Sequence, residues 1–400
     1  SDLAGNPYAS IVELSKAYLN KSVSPSEVTK AQLARIDILD AKLGSYQTIY
    51  GDEALAAARA ADKAYTEDAR LGPFHGIPFA LKDIYELKGQ ITTCGSYEMR
   101  QRISIETGTV VRRLLEVGGI AIGKTKTVEC ALGGWGTNEH MGTPWNPWDL
   151  EHPRVPGGSS SGSGVAVASG LASCATGSDT GGSVRLPAAY CGLTGLKVSK
   201  ACLPTDGIMP LSQTLDTPGP MTRNMADLAL MFSIMTGIDG RKIETDMMNG
   251  HGIFNIQMNI FKGLKFGIID QKERSRCTDD ILKSYDDTLN LLVDLGAELE
   301  VFTSPVAYDD MAQFNGAITM YEGYRNHRHL YDDPSKSVDQ NVKRRMLVGR
   351  DITPQKHADL LSKRQDHQLI FKHAMADFGA LITPTIIEPA PKLDEIDEDF

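Results

Sequence analysis

Three segments of the sequence carry the residue types that nucleophilic catalysis requires. Lys82 ends the apolar run 77–81, Ser159 lies in a glycine- and serine-rich stretch, and Ser183 closes a second such stretch. A serine hydroxyl is a weak nucleophile and needs a base within hydrogen-bond reach. Histidine is the usual base, but the 9 histidines all lie outside these segments. Lys82 is therefore the candidate base, and a serine the candidate nucleophile.

A lysine acts as a base only when its amine is uncharged. At the reference pKa of about 10.4, less than about 0.1% of a lysine is neutral at pH 7. Lowering that pKa to about 7 costs roughly 4.6 kcal/mol, and burial can supply the shift because it disfavours the charged form. Since Lys82 ends an apolar run, we expect its amine to lie in the protein interior.

Two further segments match catalytic or binding motifs in letters but not in context. Segment 118–125 fits the phosphate-loop pattern, which needs a strand before the loop and a helix after it. Here a helix leads in and a strand follows, so we interpret the glycines as the end of a helix. Ser160 fits the nucleophile-elbow pattern. Prolines at 147, 153 and 156 stand where the elbow's buried strand should run, so Ser160 is not the expected nucleophile.

Taken together, the three segments resemble the amidase signature family. The motifs are Gly-Ile-Pro-Phe-Ala-Leu-Lys-Asp at 76–83, Pro-Gly-Gly-Ser-Ser-Ser-Gly-Ser-Gly at 156–164 and Gly-Ser-Asp-Thr-Gly-Gly-Ser-Val-Arg at 177–185. Flanking stretches at 146–149, 191–197 and 216–220 are similar to the same family, and the resemblance runs from about residue 10 to 385. It implies an α/β/α sandwich with a central mixed β-sheet and helices on both faces.

The resemblance also implies a role for each motif residue. Ser183 would be the nucleophile, and Ser159, joined to Gly158 by a cis peptide bond, would relay its proton to Lys82. The oxyanion hole would be formed by the backbone N–H groups of Thr180, Gly181, Gly182 and Ser183. The acyl pocket would be lined by Ala131, Leu132, Gly133 and Gly134. Asp179 and Arg185 would hold the loop, and no metal or cofactor would be needed.

Two features depart from the family pattern. Ser161 stands where glycine is frequent, which leaves the three reacting groups untouched. Family members usually continue past a Thr-Pro-Thr like that at 383–385 and add further strands. We therefore expect that the C-terminal strands are missing from this sequence or that its sheet is completed differently.

Short apolar runs alternating with helical stretches predict an α/β fold. Residues 1–65 are predicted to be helical, most clearly where Ser24, Pro25 and Glu27 offer an N-cap, a proline at the first helical position and a capping-box glutamate. Residues 66–240 would form the signature core, and 241–400 the remaining α/β and helical part of the same catalytic domain.

Composition excludes several classes of function. Lys and Arg total 41 against 51 Asp and Glu, a net charge of -10 that disfavours direct nucleic-acid binding. The longest apolar run, 228–235, is too short to span a membrane, which takes roughly 20 residues. The amino end shows no secretion signal, and the 6 cysteines are scattered. We expect a cytoplasmic protein with reduced thiols, and family habit favours a homodimer.

The main hypothesis is an amidohydrolase that cleaves the C–N bond of a small amide through a seryl acyl-enzyme, with urethanes and esters as further substrates to test. The alternative is the glutaminase-type A subunit of an aminoacyl-tRNA amidotransferase, which shares the triad but needs partner subunits. A third hypothesis, a binding or scaffold protein with an inactive site, predicts no labelling by a serine-reactive fluorophosphonate.

Overall fold

A mixed sheet forms the centre of the computed structural model, which describes residues 5–248 and 260–398. The outer ends of the predicted segments 1–65 and 241–400 thus lie outside the described residues. The strands are β1 (Tyr46–Ile49), β2 (Pro78–Lys82), β3 (Ile120–Thr125), β4 (Cys174–Asp179), β5 (Thr194–Gly195), β6 (Thr217–Thr222), β7 (Lys265–Ile268), β8 (Glu298–Val301) and β9 (Ala380–Ile382). The central sheet has the order β1-β3-β2-β4-β6-β5, and a second sheet has the order β8-β7-β9.

The helices cover both faces of the central sheet. They are α1 (Ile11–Leu19), α2 (Pro25–Leu43), α3 (Gly51–Thr66), α4 (Thr109–Glu116), α5 (Ser161–Ala168), α6 (Arg185–Cys191), α7 (Met225–Met235), α8 (Gly240–Met248), α9 (Gln271–Arg274), α10 (Asp279–Asp294), α11 (Tyr308–Tyr331), α12 (Gln340–Arg350) and α13 (Pro354–Ala374). Phe79 and Leu81 of β2 share a hydrophobic cluster with residues of α1, α4 and α7. Ala80, between them, packs in a second cluster with residues of α2 and α5. The expected α/β sandwich is therefore confirmed.

Alternation along β2 determines where the chemistry can lie. Side chains in a strand alternate between faces, so Lys82 shares the face of Ala80, which α5 covers. β2 is parallel to both β3 and β4. The carboxyl ends of β2 and β4 therefore meet at one edge of the sheet. α5 begins at Ser161, directly after Ser159 and Ser160, so the serine-rich stretch reaches the same edge.

The described residues between 5 and 65 form the helices α1, α2 and most of α3, joined by short loops and by one strand. Ser24 and Glu27 form the predicted capping box at the start of α2, with Pro25 at its first turn. The strand β1 is a correction, because this segment was expected to be helical throughout. Its Tyr-Gln-Thr-Ile sequence suits a strand, and the segment pairs antiparallel with β3, a partner that is distant in the sequence.

The interpretation of segment 118–125 as a helix end followed by a strand is confirmed. α4 precedes the segment, and β3 begins at Ile120. Lys124 is fully buried and forms an ion pair with Asp83 at 3.3 Å. Within residues 5–248 and 260–398, no helix combines the length and apolar composition needed to cross a bilayer.

Candidate active site

The Lys82 amine lies in the interior between two serine hydroxyls. Its Nζ donates to Ser159 Oγ at 2.7 Å and to Ser178 Oγ at 2.8 Å. All three residues are buried, and the exposed fraction of Lys82 is 0%. Burial lowers the pKa of Lys82 to about 7, although the acidic groups of Cys94, Asp179 and Asp216 act in the opposite direction. A large share of this amine is therefore neutral at pH 7, which a lysine base requires.

Ser159 is held by the loop that precedes it and by the segment 127–134. The Gly158–Ser159 peptide bond is cis. The Ser159 carbonyl accepts hydrogen bonds from Thr127 Oγ1 at 2.9 Å and from the Val128 N–H at 3.2 Å. A Cβ at position 158 would come within 2.5 Å of the Gly133 carbonyl. Only glycine fits there, because the backbone of 133–136 lies directly against it.

Ser183 lies between β4 and α6, in a loop organised around the Asp179 carboxylate. Asp179 accepts hydrogen bonds from the N–H groups of Gly182 at 2.8 Å and Val184 at 3.2 Å. Arg185 binds the same carboxylate through Nε and Nη2, both at 2.9 Å. Burial raises the pKa of Asp179, but these hydrogen bonds and the Arg185 charge outweigh it, so the pKa is lowered. Asp179 thus remains an anion that fixes the loop.

Ser183 is the most exposed of the three candidate residues. Its residue is 9% exposed, against 0% for both Lys82 and Ser159. The Ser160 N–H donates to the Ser183 carbonyl at 3.3 Å, which brings the two serine loops together. In the described part of the chain, no hydrogen bond involves the Ser183 hydroxyl. This oxygen is therefore free to meet a substrate.

The backbone around Ser183 offers N–H donors, but Gly182 is already engaged by Asp179. The N–H groups of Thr180, Gly181 and Ser183 have no acceptor among the described residues. Gly182 has a φ of 133°, which a residue with a side chain rarely adopts. Of the predicted oxyanion donors, three are thus available, whereas Gly182 shapes the turn.

Ser178 is the neighbour of Lys82 that the sequence analysis missed. It lies on β4 and contacts the amine directly. Thr176 on the same strand accepts a hydrogen bond from the Lys82 backbone N–H at 3.1 Å through its Oγ1. Residues 176 and 178 share a face because strand side chains alternate. That periodicity was the available signal, but it requires knowing that β4 is next to β2.

The predicted acyl-pocket residues do not all reach the same place. Ala131 lines a cavity of about 120 Å³ together with Ser178, Thr180 and Asp216. Leu132, Gly133 and Gly134 are not part of that lining. The Leu132 carbonyl accepts a hydrogen bond from Arg345 at 2.9 Å, and the Gly134 carbonyl accepts one from the Gly158 N–H at 2.7 Å. These backbone contacts hold the Ser159 loop in place.

Nothing at this site is arranged as a metal centre. The part of the chain that the structure describes contains no group of at least 3 His, Cys, Asp or Glu side chains that could hold a metal ion. Ser160 precedes the first residue of α5 without a side-chain capping hydrogen bond, and it has no strand before it in the stretch 146–160. Its hydroxyl donates to the Ser178 carbonyl at 3.3 Å and accepts from the Ser178 N–H at 3.2 Å. The Ser160 hydroxyl is therefore engaged by the Ser178 backbone and is not open to a substrate.

Comparison with known proteins places this geometry in a family context. The family model described as Amidase matches residues 27–399. The A subunit of glutamyl-tRNA(Gln) amidotransferase from Geobacter metallireducens is 33% identical, over 96% of this chain and 84% of that protein. A crystal structure of an amidase has a TM-score of 0.84 at 27% identity, over 96% and 84% of the two chains. A chain from a vestigial protein complex, linked to the origins of an s-triazine catabolic enzyme, gives a TM-score of 0.84 at 26% identity, over 96% and 83%.

Proposed function

The chain belongs to the amidase signature family, and on this premise we propose that it hydrolyses the C–N bond of a small linear amide through a seryl acyl-enzyme. The observation that carries the proposal is the fully buried Lys82 amine, which lies 2.7 Å from the Ser159 hydroxyl and has a pKa lowered to about 7. A neutral amine there can accept a proton at physiological pH.

In the first half of the reaction, Ser183 Oγ attacks the carbonyl carbon of the amide. Its proton passes to Ser159 Oγ, while the proton of Ser159 passes to Lys82 Nζ. The negative charge on the carbonyl oxygen would be stabilised by the free N–H groups of Thr180, Gly181 and Ser183, each worth on the order of 2.7 to 4 kcal/mol. The relay then returns the proton to the leaving nitrogen, the C–N bond breaks, and ammonia or an amine departs.

In the second half, water attacks the ester carbonyl of the acyl-enzyme. It gives up its proton along the same relay, the ester C–O bond breaks, and Ser183 regains its hydroxyl hydrogen. The product is a carboxylic acid. Ala131 lines a cavity of about 120 Å³ beside Thr180, which supports a small group on that side of the reacting carbon.

The test is a panel of primary amides, anilides, urethanes and esters incubated with the purified chain. We expect amide turnover without any partner and labelling of Ser183 by a fluorophosphonate that disappears in the Ser183→Ala variant. Absence of both turnover and labelling would reject the proposal in favour of an inactive binding protein. Light scattering on the same preparation tests the expected homodimer.

A second candidate function follows from the similarity to amidotransferase A subunits. In that case, the same relay would release ammonia from glutamine for transfer within a complex. This candidate predicts glutaminase activity that depends on added partner subunits, with little turnover of simple amides by the chain alone. Turnover of simple amides by the chain alone decides for the free-standing amidase.

A further inference from the structure

An open groove lies between α11 and α13, and both helices contribute to its lining. Its volume is about 410 Å³, and its lining includes Phe314, Ile318 and Phe371. Ile318 is fully buried, whereas the two phenylalanines are half-buried. The groove therefore has an apolar floor that is open to solvent on one side.

The groove begins at the loop that carries the proposed nucleophile. Asn315 lines the groove, and a methyl group at Gly181 would come within 2.8 Å of Asn315 Nδ2. Gly181 is exposed and stands just before Gly182 and Ser183. Asn315 therefore places one end of the groove beside the Gly181 backbone, two residues before Ser183.

The charge of Arg364 also acts on Lys197, in the segment that follows β5. Burial lowers the pKa of Lys197, just after β5, and the positive charge of Arg364 on α13 acts in the same direction. Arg364 lines the groove, so the positive charge of the groove acts on the segment that follows β5.

The groove carries positive charge that the described chain leaves unneutralised. Arg364 and Lys372 both line it, and neither forms an ion pair with a carboxylate of the described residues. With the Gln368 amide turned so that its oxygen faces the guanidinium, that oxygen accepts from both terminal nitrogens of Arg364 at 3.2 Å. A neutral amide does not cancel the guanidinium charge. This end of the groove is therefore positively charged, although the whole chain has a net charge of -10.

We propose that this groove binds the acyl part of the substrate and selects amides whose apolar acyl chain ends in a carboxylate. The apolar stem would pack on Phe314, Ile318 and Phe371, and the carboxylate would pair with Arg364, whose planar donors suit that group. The acyl side is assigned because a primary amide loses only ammonia, so all recognition must involve the acyl part. This proposal rests on the proposed amidase activity.

The test uses three primary amides with the intact chain: propionamide, 6-phenylhexanamide and the latter with a para-carboxylate on its ring. Propionamide has only a two-carbon acyl stem and carries no carboxylate for Arg364. We expect Arg364→Gln to lower kcat/KM for the carboxylate substrate at least about 10-fold, mainly through KM, and to leave the other two within about 2-fold. Lys356→Gln, which removes an exposed charge of α13 outside the groove lining, is the matched control and should change none of them.

Charge reversal provides an independent readout. Arg364→Glu should favour an otherwise identical substrate ending in an ammonium group over the carboxylate, which a purely structural role of Arg364 would not produce. Equal losses on all three amides, or no loss on the carboxylate substrate, would overturn the groove proposal while propionamide turnover leaves the amidase proposal intact. If the wild-type chain hydrolyses none of the amides, the proposed function itself fails.

Discussion

The two sheets of this chain differ in how deeply their strands are buried. Every residue of β2 and β4 in the central sheet is buried. In the second sheet, β8 is mostly exposed and β9 is partly exposed along its whole length. The proposed base and its two hydroxyl neighbours all belong to the first environment or to the loops against it.

This difference explains why the proposed acid–base chemistry is assigned to the central sheet. An amine changes its pKa strongly only where water is excluded, because burial penalises the charged form. A lysine on a strand like β8 would remain solvated and protonated. Recognition of a charged substrate has the opposite requirement, and the groove between α11 and α13 is open to solvent.

The largest expected effect is the loss of the proposed nucleophile. Ser183→Ala should reduce kcat at least about 10⁴-fold, because it removes the proposed attacking atom, whereas the Ser159 and Ser178 hydroxyls are both held by the Lys82 amine. Steady-state ammonia release measures it. Ser160→Ala is the control and should retain most activity, since its hydroxyl contacts only the Ser178 backbone. An active Ser183→Ala variant beside an inactive Ser160→Ala variant would move the nucleophile to Ser160.

The second prediction concerns pH. Because the Lys82 base must be neutral and its pKa is lowered to about 7, kcat/KM should rise with pH and level off above that value. It should be roughly 100-fold lower at pH 5 than at pH 8, since each pH unit below the pKa removes about nine-tenths of the neutral form. A profile that is flat from pH 5 to 8, outside experimental error, contradicts a lysine base.

The third prediction concerns the stability that burying this amine costs. The folded pKa of Lys82, about 7, lies below the ordinary value of 10.5, so between these values the unfolded chain binds a proton that the folded chain lacks. Stability therefore rises with pH across this window. At pH 7, Lys82→Met should raise the free energy of unfolding by on the order of 1 to 4 kcal/mol, less whatever the two lost hydrogen bonds contributed.

Urea unfolding at pH 7 and near pH 10 measures this difference. The advantage of the methionine variant should shrink as pH rises, because the lysine of the unfolded chain then also loses its proton. A methionine variant that is less stable than the wild type by the same amount at both pH values argues against a depressed lysine pKa.

The smallest effect compares one valine from each environment. Val167 on α5 is 0% exposed and packs on the central sheet, whereas Val301 on β8 is 55% exposed. Val167→Thr should lower the free energy of unfolding by about 1 to 3 kcal/mol, because a hydroxyl enters the core. Val301→Thr should change it by less than about 0.5 kcal/mol. Equal losses in the same unfolding assay would remove the distinction between the two sheets.

Several features could be predicted from the sequence because they depend on neighbouring residues. The capping box of α2 involves only Ser24 and Glu27, and the apolar run before Lys82 was enough to predict a buried amine. The motif order and spacing were enough to identify the family and hence the α/β sandwich. The strand β1 was missed, since its short segment becomes a strand by pairing with β3.

Other features were decided only by the tertiary structure. Ser178 reaches Lys82 because β4 lies next to β2. The Asp179 carboxylate accepts the hydrogen bond of the Gly182 N–H. The groove exists because α11 packs near α13. Each of these depends on which distant segments become neighbours. Local sequence specifies backbone conformation and the polarity of a face, whereas contacts between distant segments are selected by the packing of the whole core.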